Sequence, residues 1–118
     1  MNHLDLGKAG EQAVSLFLTR KGYAIMERNF RTRWGEIDLI ARDKEDLVFV
    51  EVKTRRGAAF GTGAEAVIWH KQQKIIKTAQ IYLSQKRLDA ANLRFDVVEV
   101  NVKNNSLEFN HIVNAFGD

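Results

Sequence analysis

Cysteine is absent from this 118-residue chain. That excludes disulfide bonds and thiolate chemistry and makes a reducing compartment, the cytoplasm, the expectation. Long apolar runs are missing as well: nothing approaches the roughly 18 consecutive residues of a membrane span. Met1 to Leu6 also lack a basic segment followed by an apolar one, so neither insertion nor export is expected. Histidine is scarce. His3, His70 and His111 have neither metal-ligand spacing nor a nucleophile partner, and each reads as a surface or packing residue. There is no internal repeat, low-complexity tract or linker, so residues 1–118 are expected to form a single domain with one core and one site. The charge excess is small. A net +3 permits a polyanionic partner without demanding one.

What is present is patterned. Ala9, Ala13, Val14, Phe17 and Leu18 recur at three and four, which predicts an amphipathic helix from Leu6 to Lys21 ended by Gly22. Tyr23 to Thr32 reads as a strand broken by Arg33-Trp34-Gly35. Glu36 to Arg42 and Leu47 to Thr54, rich in Ile, Leu and Val around the polar turn Asp43-Lys44-Glu45-Asp46, read as a hairpin. A Gly/Ala-rich loop, Gly57 to Gly63, leads to a helix from about Ala64 to Arg87 with the stripe Ile68, Ile75, Ala79 and Tyr82. Strands at Leu93 to Val102 and Leu107 to Val113 follow, joined at Asn104-Asn105. The expected fold class is α/β: a mixed sheet of about five strands flanked by helices.

Within that frame two strands carry charge where an apolar face should continue. In Leu47 to Thr54 one face holds Leu47, Phe49, Glu51 and Lys53 and the other Val48, Val50 and Val52. In the preceding strand Glu36, Asp38, Ile40 and Arg42 share a face opposite Ile37, Leu39 and Ala41. A symmetric turn pairs Asp43 with Asp46, and counting outward sets Asp38 across from Glu51. Their Cβ atoms would then lie about 4.5–5.5 Å apart, where two carboxylates repel unless a cation intervenes. Oxygen ligands without His or Cys suit Mg²⁺, or Mn²⁺, better than Zn²⁺. Lys53 would stand beside the metal, orienting or helping to deprotonate a water and offsetting charge on a phosphate. Glu11 borders the buried stripe of the first helix, which Gly7 and Gly10 would let approach closely, and is a candidate third carboxylate. Gln72, four after Ile68 and three before Ile75, is an unexpected polar residue on an apolar side and a further candidate.

The helix bearing Glu11, the segment Gly35-Glu36-Ile37-Asp38-Leu39-Ile40-Ala41 and the segment Phe49-Val50-Glu51-Val52-Lys53-Thr54-Arg55 resemble the PD-(D/E)XK nuclease superfamily. With Lys71-Gln72 and Arg94-Phe95-Asp96-Val97-Val98 they look more narrowly like the YraN-like family of small bacterial proteins, from roughly Gly7 to Val100. The set is also similar to archaeal Holliday-junction resolvases. The resemblance implies a restriction-endonuclease-like core, with Asp38 and Glu51 binding the metal, the Val52 carbonyl adding an oxygen and Lys53 acting on the nucleophilic water. Ile37 stands where the motif has proline. The implied activity is metal-dependent endonucleolytic hydrolysis of DNA, branched or junction DNA being a candidate substrate. The competing readings are a nucleic-acid-binding module with the same fold and no turnover, and a protein-interaction domain.

The basic residues Arg31, Arg33, Arg55, Arg56, Lys71 and Lys74 are the expected nucleic-acid contacts. Trp34 and Trp69 are expected to pack rather than to stack on bases, Asp96 to be structural, and Glu36 to face solvent or Arg33. Symmetric cutting of two strands needs two copies, so a homodimer is expected, its seam at Gly57 to Ile68 or Leu107 to Phe116.

Overall fold

A computed structural model describes residues 3–57, 67–88 and 92–117 of the chain. Its elements run α1 (His3–Arg20), β1 (Ala24–Thr32), β2 (Gly35–Asp43), β3 (Asp46–Arg56), α2 (Trp69–Lys86), β4 (Leu93–Lys103) and β5 (Ser106–Phe116). The five strands form one mixed sheet in the order β1-β2-β3-β4-β5, antiparallel except for β3 with β4. A parallel pair cannot be closed by a tight turn, and the chain between β3 and β4 carries α2. One helix lies on each face, as expected of a restriction-endonuclease-like core. No described helix is long and apolar enough to cross a membrane.

Period-two alternation in β3 builds both halves of the core. Leu47 and Phe49 join Ile40, Val97 and the α2 residues Ile75, Ala79 and Tyr82 on one face. Val48 and Val50 join Leu39, Ala41, Val98, Val100 and the α1 residues Val14 and Leu18 on the other. Ile37 departs from the expected alternation, for it packs on the α2 side with Ile40 rather than with Leu39 and Ala41. The β2–β3 ladder runs from Asp43↔Asp46 only to Leu39↔Val50, so residues before Leu39 are not held to the pleat of β3.

Local signals set the ends of elements. Gly22, at φ +98°, closes α1: its N–H donates to the Thr19 carbonyl and that of Tyr23 to the Leu18 carbonyl, the pairing of a Schellman cap. Asn104 and Asn105, both at positive φ, make the two-residue β4–β5 turn. The second helix begins at Trp69, later than the expected Ala64. Residues 64–66 lie outside the described ones, and Ile68 is an extended N-cap residue (φ −68°, ψ 156°), 69% exposed instead of buried in the stripe. A residue outside the helix does not follow its period. Thr78 takes the fourth buried place beside Ile75, Ala79 and Tyr82. Of the two expected dimer seams, the second is β5, the last strand of the sheet, and most of the first falls on residues 58–66, outside the described ones.

Candidate active site

Where β2 and β3 part, a side chain takes over from the ladder. Asp38 Oδ2 accepts the Val52 N–H at 2.8 Å; the expected pair of Asp38 with Glu51 is not part of the ladder, which stops at Leu39 with Val50, and a carboxylate bond to the main chain of β3 stands in its place. Glu51, the residue before Val52 on β3, is only 5% exposed. Both acids line an open cavity of about 350 Å³ whose wall continues along Val52, Lys53, Thr54, Arg55 and Arg56. The opposite wall is α1, through Leu6, Gly7 and Glu11, and Lys71 enters from α2.

Gly10 explains how α1 comes close enough. A Cβ there would fall on Thr54 Oγ1, so only hydrogen allows the helix to lie against β3 and bring Glu11 into the cavity. Gly7, expected to serve likewise, has nothing within 4 Å of its would-be Cβ, because that turn of the helix faces the open cavity. Glu11 is held from β1: the Asn29 amide nitrogen, turned toward both acids, donates to Glu11 Oε1 (2.9 Å) and Glu36 Oε1 (3.1 Å). Glu36 is completed by Arg31 at 3.3 Å rather than by Arg33.

Three carboxylates, partly buried, share the site. Burial, then the neighbouring Glu51, pushes the Asp38 carboxyl up to about 7, against the opposing pull of the Val52 N–H. Glu11 is raised too, by burial and by Glu36 and Glu51, although Asn29 pulls the other way. Two lysines answer. Lys71 Nζ donates to Glu51 Oε1 at 2.6 Å, and Lys53 Nζ lies 3.9 Å from the same oxygen. Burial and the adjacent Lys71 lower the pKa of Lys53. Burial, the largest single influence, would lower Lys71 as well, but its hydrogen bond and charge attraction to Glu51 together with the Asp38 carboxylate raise it on balance.

The structure therefore brings Glu11, Asp38, Glu51, Val52 and Lys53 to one cavity and adds Arg55, Arg56 and Lys71 from the expected nucleic-acid contacts. Lys71, expected as a nucleic-acid contact, also partners a carboxylate inside the site. Gln72 does not line the cavity. Its Nε2 donates to the Val67 carbonyl at 2.7 Å, tying down the turn before α2, and the stripe that nominated it included Ile68, which lies outside the helix. Arg31, Arg33 and Lys74 also lie off the cavity. Asp96 is structural, as expected: it is fully buried, receives Arg94 and the Asn114 N–H, and pairs with His111 at 2.7 Å.

Comparison with known proteins gives a consistent family. Residues 10–100 match the family described as Uncharacterised protein family UPF0102. A UPF0102 protein of Caldanaerobacter subterraneus subsp. tengcongensis is 46% identical over 98% of this chain and 98% of its own. One of Alkaliphilus oremlandii is 49% identical over 94% and 97%, and one of Dictyoglomus turgidum 42% over 98% and 100%.

Proposed function

Because the chain belongs to the uncharacterised family UPF0102, the YraN-like proteins, whose names state no activity, we propose its function from the site itself: a divalent-metal-dependent endonuclease of the PD-(D/E)XK kind that hydrolyses phosphodiester bonds in DNA. The observation that carries this reading is the meeting of Glu11, Asp38, Glu51 and Lys53, from α1, β2 and β3, in one open cavity.

The donor set suits a hard cation. It offers oxygen alone, and the Asp38 and Glu11 carboxyls, raised first by burial and then by neighbouring carboxylates, would be favoured in their charged form by a divalent ion beside them. Asp38, Glu51 and the Val52 carbonyl would hold Mg²⁺ or Mn²⁺, with Glu11 on the facing wall. Such an ion supplies Lewis-acid polarisation of the phosphoryl group and a more acidic water. Lys53, its pKa lowered, takes or returns a proton at Nζ beside the attacking water and offsets charge growing on the phosphate. Arg55 and Arg56, on the same wall, bind the flanking phosphates. The Asp38 bond to the Val52 N–H fixes the acid's orientation before substrate arrives. Symmetric double-strand cutting takes two copies, with the β5 edge as their seam.

One contact favours a second reading, a nucleic-acid-binding module without turnover. The Lys71 ammonium already sits on Glu51 Oε1 at 2.6 Å, where a metal would compete with it. A panel of linear and branched DNA, incubated with Mg²⁺ or Mn²⁺, decides between them. Cleavage lost in Glu51→Gln supports the nuclease; binding without cleavage, and no heat on titrating either metal, supports the module.

A further inference from the structure

The chain has two tryptophans, and neither packs in the core. Trp34, in the β1–β2 turn, is 44% exposed and Trp69, the first residue of α2, 66% exposed. They line one shallow cavity of about 210 Å³ with His70, Gln73, Lys74 and Lys77. No carboxylate is among these six residues. Lys77 Nζ lies 4.7 Å and the Arg33 guanidinium 5.0 Å from the Trp34 ring. The two elements are brought together by Gly35, whose would-be Cβ meets Thr78 Oγ1 at 3.3 Å and Lys74 Cβ at 3.4 Å, so α2 rides directly on the turn that presents Trp34.

Two exposed indoles ringed by cations and free of acids match the chemistry of an unpaired polynucleotide. Its bases offer flat π-faces to the rings and its phosphates offer charge to Arg33, Lys74 and Lys77. A paired duplex keeps its bases stacked inside and could use only the cations. The patch and the active-site cavity share one helix, α2. Lys74 follows Lys71, which enters the catalytic cavity, by about one turn of the same helix. A strand stacked on the tryptophans is thereby led along α2 toward Asp38 and Glu51.

We propose that the Trp34–Trp69 surface of α2 and the β1–β2 turn binds a single-stranded segment of the nucleic acid, making the substrate one with unpaired nucleotides beside the scissile phosphate. The proposal rests on the nuclease reading only for the direction in which the strand leads; the binding surface stands by itself. Because both tryptophans lie in the patch, their fluorescence reports on it alone. The full chain, held in chelator so that nothing is cut, is titrated with a single-stranded oligonucleotide of about 12 nucleotides and with a blunt duplex of equal length. The expected result is quenching by the single strand and none by the duplex. Trp69→Ala and Trp34→Ala should each weaken single-strand binding about tenfold, with Trp69→Phe and Trp34→Phe restoring most of it, since a stacking face survives. Lys74→Gln and Lys77→Gln should each reduce the salt slope by about 0.7. Unquenched emission on binding, or alanine variants that bind single strands like the parent, overturns the proposal. Cleavage of the DNA panel, followed in parallel with metal, separates the two readings. Quenching without cleavage removes the nuclease and keeps the surface; cleavage without quenching does the reverse.

Discussion

The Asp38 carboxylate accepts the Val52 N–H at 2.8 Å, just beyond the last ladder pair of β2 and β3, Leu39 with Val50. A strand pair that would have closed on itself is thereby opened into a fork, and the two acids at the fork face a cavity instead of each other's main chain. That arrangement leaves Asp38 poorly solvated beside Glu51, and its consequences can be measured.

The first concerns pH. The Asp38 carboxyl titrates near 7 in the folded chain against 3.8 ordinarily. Between those values the folded state holds the proton more tightly than the unfolded state, so this group makes stability fall as pH rises from about 4 to about 7. Asp38→Asn keeps an acceptor for Val52 and removes the charge. In chelator at pH 8 it should be more stable than the parent, by on the order of 2 kcal/mol, and the gain should vanish near pH 4. Urea unfolding at the two pH values checks this; an equal difference at both would show that Asp38 is not the titrating group.

The two lysines should separate by what they lose. Lys53→Ala is expected to lower turnover on the order of 10²-fold or more with little change in DNA affinity, as loss of a group that stabilises developing charge does. Lys71→Ala takes the 2.6 Å partner from the buried Glu51. It should lower metal-free stability by on the order of 1–3 kcal/mol, discounted because Lys71 itself is half-exposed. Mg²⁺ should then raise the melting temperature of Lys71→Ala more than that of the parent. Equal shifts would mean that Lys71 and the metal do not compete.

Phosphate contacts should follow the cavity. Arg56→Gln is expected to reduce the salt slope of duplex binding by about 0.9, and Arg55→Gln by less, because Arg55 is also paired with the buried Glu99 at 3.5 Å. Arg31, off the cavity and engaged with Glu36, should leave the slope unchanged when replaced. A uniform effect of all three would place the duplex elsewhere.

Two glycines of α1 make a paired test of how the helix seats Glu11. Gly10→Ala drives a methyl into Thr54 and should cost on the order of 1–3 kcal/mol, with loss of activity as Glu11 is displaced. Gly7→Ala meets nothing within 4 Å and should gain up to about 1 kcal/mol from helix propensity. Thermal unfolding of the two variants side by side would refute the packing if both moved alike.

How far the residues alone could lead is seen strand by strand. Leu47 to Val52 announced both faces of β3 because a side-chain period of two leaves little choice once one face is buried. The symmetric Lys44-Glu45 turn then fixed the register from Asp43 with Asp46 as far as Leu39 with Val50, one pair short of the expected Asp38 with Glu51. What could not be read was the point where pairing stops, since it depends on a carboxylate outcompeting a main-chain acceptor for the Val52 N–H. The start of α2 was equally hidden. Placing Ile68 on the stripe misassigned Gln72, and the expectation that Trp34 and Trp69 would pack met a structure that leaves both in the open. Lys71 looked like one of several surface cations, because its partner Glu51 is twenty residues away in the chain and reaches it only through the fold.

The lone parallel seam of the sheet also has a kinetic meaning. The β1–β2, β2–β3 and β4–β5 pairs each close around two residues and can form locally. The β3–β4 seam joins partners as distant in sequence as Leu47 and Leu93, and its loop entropy must be spent before any contact across it is gained. Folding should therefore wait on the docking of two preformed units, β1–β2–β3 and β4–β5. Truncation of Val50 or Val98, buried on adjacent strands across that seam, should slow refolding, whereas truncation of Phe109 in β5 should chiefly hasten unfolding. The strands that shape the fork at Asp38 and Val52 would thus be in place before the central sheet is complete.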